Sequence, residues 1–194
     1  MKNNIIMVWL DDPLGWAAVV TVSALLGAMA VDRDFYNRKI QKPRWAPPAW
    51  MFQVVWTLLY TAQALASYLL IDNTGEWVAG IWVYIAYLII STAWNWIFFR
   101  FRMFALSKLV IIIAAGLSVA ATVLYWEEGP FYCGLLMTFT TVWMVFAAAL
   151  NWSLKEKRYQ PVAQRDEEIA LPERREPQEE KENNGDFNLS LNEQ

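Results

Sequence analysis

Tryptophan is the residue type through which this chain could do chemistry: twelve are present in 194 residues, and all of them precede Leu154. An indole ring offers a large flat apolar face and one N–H donor, which suits stacking and burial of aromatic or polycyclic partners. The conventional catalytic side chains are missing. There is no histidine and Cys133 is the only cysteine, so the default general base, the Ser-His-Asp and Cys-His arrangements, the usual zinc sets, the commonest haem ligand and an internal disulfide cannot be built. No catalytic residue, metal site or cofactor is therefore assigned.

The densest aromatic chemistry lies in Lys42-Pro43-Arg44-Trp45-Ala46-Pro47-Pro48-Ala49-Trp50 and continues through Met51-Phe52-Gln53-Val54-Val55-Trp56-Thr57-Leu58-Leu59-Tyr60. Three prolines fix φ and keep their preceding residues extended, so the segment is expected to be a stiff arm that holds its tryptophans at small entropic cost. Pro48 also suits the first turn of a following helix. The plainer alternative is an interfacial loop whose tryptophans act as anchors.

The elements that must position these residues are read from apolar run length. A bilayer core needs roughly 20 apolar residues in a helix, and five stretches qualify: 13–31, 49–71, 77–99, 105–126 and 131–154. Five such runs joined by short linkers leave no polar faces for water. The expected fold class is an all-α integral membrane protein, a five-transmembrane-helix bundle over residues 1–154, followed by a polar, disordered tail over 155–194. Against the first span, Leu25 to Ala30 resembles a signal peptide ending in a small-residue cleavage site. Asp11 and Asp12 stand where such a peptide carries cations, and Lys2 is the one cation before the apolar run.

Charge sorts onto two faces. Arg33, Arg38, Lys39, Lys42, Arg44, Arg100, Arg102, Lys155, Lys157 and Arg158 fall on one side of the five spans, and Asp11, Asp12, Asp72, Glu76, Glu127 and Glu128 on the other. Basic residues near span ends stay in the cytosol, so the first loop, the third loop and the tail are expected there. Trp16, Trp77, Trp126 and Trp152 lie near span ends and are expected to anchor the interfaces. The tail combines seven Lys/Arg with eleven Asp/Glu, and its net charge of −4 leaves +1 for the first 154 residues. The chain's low pI thus belongs to the tail, and no nucleic-acid partner is expected. On the fourth span Ala114, Gly116, Ser118 and Ala120 suit close helix approach, within one chain or in a homodimer.

The run Lys-Pro-x-Trp-x-Pro-Pro-x-Trp, followed by Trp56 and Tyr60, resembles the tryptophan-rich sensory protein and translocator protein family, also called the peripheral benzodiazepine receptor family. Lys42, Pro43, Trp45, Pro47, Pro48, Trp50, Trp56 and Tyr60 carry the pattern. The likeness extends over about residues 10–155 through Trp94, Phe98, Phe99, Trp143, Ala147, Leu150 and Asn151. Ser91 stands where Asn is common, Trp96 and Arg100 where Pro and Gly flank the Phe pair, and Phe139-Thr140 where Pro-Tyr is usual.

The resemblance implies a bundle whose cavity is capped by the first loop and takes porphyrin, sterol or aromatic drugs. Candidate ligand-binding residues are Trp50, Phe52, Val55, Trp56, Ser91, Trp94, Trp143, Ala147, Leu150 and Asn151. A sterol motif would comprise Leu150, Trp152 and Lys155, with Trp152 at its usual tyrosine position. The expected function is a membrane receptor or carrier for hydrophobic ligands. The alternatives are light-dependent porphyrin degradation with Trp50 and Trp143 as redox-active neighbours, and a membrane scaffold without a ligand. Expected partners are membrane lipid, a sterol or tetrapyrrole, and a second copy of the chain. For animal relatives the resemblance implies the mitochondrial outer membrane, which is the expectation here; other internal membranes or the cell envelope hold relatives from plants and bacteria.

Overall fold

The computed structural model describes residues 12–156; the expected disorder of the tail from residue 157 onward lies outside the described residues. Five helices run in sequence: α1 (Pro13–Ala30), α2 (Ala49–Thr74), α3 (Ala79–Asn95), α4 (Phe104–Glu128) and α5 (Phe131–Ser153). A π-helical turn at Trp96–Arg100 extends α3. The resulting spans are 18 to 26 residues long, about 27 to 39 Å at the α-helical rise, so each can cross a bilayer core. The five expected spans are all present.

Local chemistry sets the helix ends. Asp12 caps α1 by accepting the Leu14 N–H at 2.8 Å, and Pro13 begins the helix. α2 starts directly after Pro48 and stops at Gly75, whose φ of 71° is a left-handed conformation that glycine adopts without a Cβ penalty. At the start of α3 the Gly80 N–H donates to the Glu128 carboxylate at 2.8 Å, so an acid from the end of α4 satisfies a first-turn donor. Trp96 retains the N–H that a proline would lack and donates it to the Ala93 carbonyl. The chain consequently stays helical and closes the wider turn with the Phe101 N–H donating to the Trp96 carbonyl at 2.9 Å.

Around the bundle the order is α1, α2, α5, α4, α3, with α3 packing back on α1. The outer surface is apolar, with Leu25, Leu58, Leu65, Ile89, Leu109 and Val142 all exposed, as a lipid-facing surface requires. The interior holds paired polar groups. Gln63 donates to the Thr140 hydroxyl at 3.1 Å and accepts from the Tyr84 phenol at 3.0 Å, and the Ser67 and Tyr125 hydroxyls pair at 2.8 Å.

Several expectations change in the structure. Trp16 is not an interface anchor: it is fully buried and packs against Trp77 and Tyr84, with ring centroids 6.2 and 6.0 Å away. α1 is thereby part of the core. Trp126 and Trp152 do face outward. On α4, Ala114 and Ser118 point into the bundle while Gly116 and Ala120 point away from it, because residues two apart on a helix face different ways. The polar segment after α5 opens with ordered backbone: Lys155–Glu156 forms a short strand (β2) antiparallel to Ile40–Gln41 (β1) of the first loop.

That loop is anchored along its length. A π-helical turn at Phe35–Lys39 buries Phe35 and Tyr36, and these pack with Ile40, Phe98, Leu150 and Leu154 in a second apolar cluster. The Arg102 guanidinium lies 3.6 Å from the Asp32 carboxylate and 4.7 Å from the centroid of the Phe35 ring. Both members of that ion pair are largely exposed, so the ring contact and the buried apolar groups do more of the holding.

Candidate ligand-binding cavity

Beneath the first loop lies a cavity of about 430 Å³, a size that accommodates drug-sized ligands. α1 contributes Ala24, Gly27, Ala28 and Val31; the first loop contributes Arg33 and Tyr36; α2 contributes Ala49, Trp50, Phe52, Gln53, Trp56, Thr57 and Tyr60. α3 and its π-helical turn supply Trp94, Asn95, Phe98 and Phe99, and α5 supplies Ala147, Leu150, Asn151 and Leu154. The α2 residues recur at helical spacing, so one face of that helix lines the cavity from Ala49 to Tyr60, a depth of about 16 Å. The cavity therefore begins at the basic end of the bundle and reaches toward its middle.

Aromatic packing stiffens the walls. Trp94 stacks on Phe98 with centroids 5.3 Å apart and planes 14° from parallel, and Phe98 meets Phe99 edge-on at 4.8 Å. Trp56 lies 5.3 Å from Tyr60, and Phe52 meets Tyr36 edge-on at 5.9 Å. A void of about 10 Å³ adjoins the deep end, touching Trp56, Tyr60, Trp94, Asn95 and Ala147 and adding Ser91, Ile111 and Met144. It has room for roughly one water molecule.

Of the residues expected from sequence, Trp50, Phe52, Trp56, Trp94, Ala147, Leu150 and Asn151 line the cavity, and Ser91 borders the small void. Val55 lies outside this set, since it follows Gln53 and Val54 around the helix onto a neighbouring face. Trp143 stands one ring behind the wall, edge-on to Phe52 at 5.7 Å and tilted against Phe146 at 5.0 Å. The proposed sterol motif is divided: Leu150 faces the cavity, Trp152 is on the outer surface beneath the Lys108 ammonium at 5.4 Å, and Lys155 is in β2. Among the described residues no group of His, Cys, Asp and Glu could hold a metal ion.

Sequence reasoning missed the α1 wall and Tyr36. The signal for the former was present as the small residues Ala24, Gly27 and Ala28, whose spacing puts them on one helix face. At Gly27 a Cβ would lie 3.1 Å from the Asn95 side chain, so the glycine permits close approach of α1 to α3.

Fold and site together define a multi-pass helical membrane protein with an aromatic cavity lined at one end by residues of its first loop. Residues 15–156 match the TspO/MBR family, and the chain belongs to that family. It is 30% identical over 146 residues to the tryptophan-rich sensory protein of Cereibacter sphaeroides, covering 72% of this chain and 90% of that one. It is 33% identical over 133 residues to the protein CrtK of Rhodobacter capsulatus, covering 66% and 81%. Translocator protein of Homo sapiens is 31% identical over 117 residues, 58% of this chain and 69% of its own.

Proposed function

We propose that the protein is a membrane receptor or carrier that binds a hydrophobic ligand with a flat polycyclic body, a sterol or tetrapyrrole, in the cavity under the first loop. The observation that carries this reading is the cavity of about 430 Å³ with Trp50, Phe52, Trp56, Trp94, Phe98 and Phe99 in its walls. Flat rings gain burial and stacking energy against such side chains. Family membership supports it, since relatives bear the names translocator protein and tryptophan-rich sensory protein. The mitochondrial outer membrane is the proposed location, with the basic loops toward the cytosol, and a homodimer is the proposed assembly.

Titrating the purified protein with protoporphyrin, and separately with a fluorescent sterol, tests the reading. Saturable quenching of tryptophan emission that the other ligand class relieves by competition is expected; linear, unsaturable quenching by both would exclude a site and favour a ligand-free scaffold.

One observation favours a second reading, in which bound porphyrin is degraded in light. Phe52, Trp143, Phe146 and Trp45 form a file of rings with successive centroids 5.7, 5.0 and 5.7 Å apart, leading from the cavity wall to an exposed tryptophan. Loss of the porphyrin spectrum in light but not in darkness, abolished in Trp143→Phe, is the result this reading requires.

A further inference from the structure

Three polar side chains in the cavity wall bury hydrogen-bonding atoms that have no partner among the described residues: the Tyr36 hydroxyl, the Trp94 indole N–H, and both the nitrogen and the oxygen of the Asn151 amide. Asn151 is 2% exposed and Tyr36 7%. Leaving a buried amide unpaired costs free energy, so each such group calls for a partner. Trp16, Trp77, Tyr87 and Trp143 also bury one unpaired N–H or O–H each, but they are absent from the cavity lining. Among the described residues Asn151 is the one buried amide with both its nitrogen and its oxygen unpaired.

The chemistry of the missing partner follows from the balance of donors. The phenol, the indole and the amide nitrogen all offer hydrogens, against one carboxamide oxygen. Burial holds the Tyr36 phenol above its ordinary pKa, so it is a neutral donor at pH 7. Arg33 lines the same end of the cavity, and the Lys42 ammonium sits 4.4 Å from the Tyr36 ring centroid. Among the described residues no acidic side chain lines the cavity. In the first loop Asp32 pairs with Arg102 and Asp34 with Arg38, each at 3.6 Å. A donor-rich, positively charged end fits an acceptor carrying negative charge, whereas an alcohol could use only part of it.

We propose that Tyr36 and Asn151 form a head subsite for a carboxylate: the ligand is an aromatic amphiphile whose rings lie against Trp94 and Phe52 and whose carboxylate accepts from the Tyr36 hydroxyl and the Asn151 amide beneath Arg33. The amide reaches the ligand by turning about its terminal torsion, which is broad and soft for asparagine. This deepens the receptor reading, on which it rests, by specifying the polar end of the ligand.

Pyrenebutyrate, its methyl ester and pyrenebutanol share one ring system and differ at the head, and each reports binding by energy transfer from tryptophan. With the full chain in detergent at pH 7.5, the acid is expected to bind about tenfold tighter than the ester or the alcohol, the scale of one charge-assisted hydrogen bond. Tyr36→Phe and Asn151→Leu should each weaken binding of the acid several-fold more than binding of the ester, so that most of the preference is lost, and Arg33→Gln should remove its salt dependence. Tyr36→Phe deletes one oxygen and keeps the ring packing, so it decides the matter should Asn151→Leu fail to fold. Equal affinity of acid and ester in the unaltered protein, or equal loss of both in Tyr36→Phe, overturns the head subsite and leaves the cavity reading standing. Absence of saturable binding by all three probes overturns both.

Discussion

Gln63 sits where a bilayer tolerates an amide least, yet both ends of its side chain are satisfied, one by Thr140 and the other by Tyr84. Its substitution tests how much the buried polar network contributes. Gln63→Leu keeps the approximate volume but leaves a phenol and a hydroxyl without partners, and is expected to cost about 0.6 to 2 kcal/mol. A thermal melt in detergent should register this as a lower midpoint, with Thr140→Val showing a smaller loss because fewer groups are orphaned. The sequence displayed a departure from the family pattern at Thr140, but the residue's partner comes from a helix 77 positions away. No local pattern reports such a pairing. Tyr36 was hidden for a related reason: in sequence it is one aromatic residue in a charged loop, and only the π-helical turn buries it over Phe52.

At the scale of elements, the pairing of β1 with β2 ties the cavity's cap to the exit of α5. The ladder joins Ile40 to Glu156 and Gln41 to Lys155, so the cap is held by backbone at a point remote from its own ends. Proline cannot donate to such a ladder, and Lys155→Pro is expected to loosen the loop while the helices persist. Stopped-flow displacement of bound protoporphyrin should then show release about three- to tenfold faster, with far-UV circular dichroism unchanged; an unaltered release rate would mean that the apolar cluster under the loop holds the cap unaided. Apolar run length reported the helices well, because crossing about 30 Å of hydrocarbon imposes a length no soluble segment needs. It could not report a two-residue strand, whose existence depends on where α5 delivers the chain.

For the whole molecule, alternation of five spans makes a prediction about sidedness. With Cys133 replaced by serine, single cysteines introduced at Arg38 and Arg100 should be labelled by an impermeant maleimide from one side of sealed vesicles, and those at Glu76 and Glu127 from the other. Labelling of all four from the same side would break the bundle's topology. The Arg102–Asp32 contact, between the first loop and the α3–α4 connection, agrees with a common side for those two segments. By itself the sequence determined the number of helices, their order, their basic and acidic ends, and the tryptophan-rich run that carries the family likeness, because hydropathy, charge and motif spacing are properties of consecutive residues. The tertiary structure decided that Trp16 is core rather than anchor, that Trp143 stands behind Phe52, that α1 supplies a cavity wall, and that the Asn151 amide is left without a partner. Each of these depends on which helix faces which, and a nearly all-apolar helix carries little rotational information of its own; the neighbours that pack against it supply the rest.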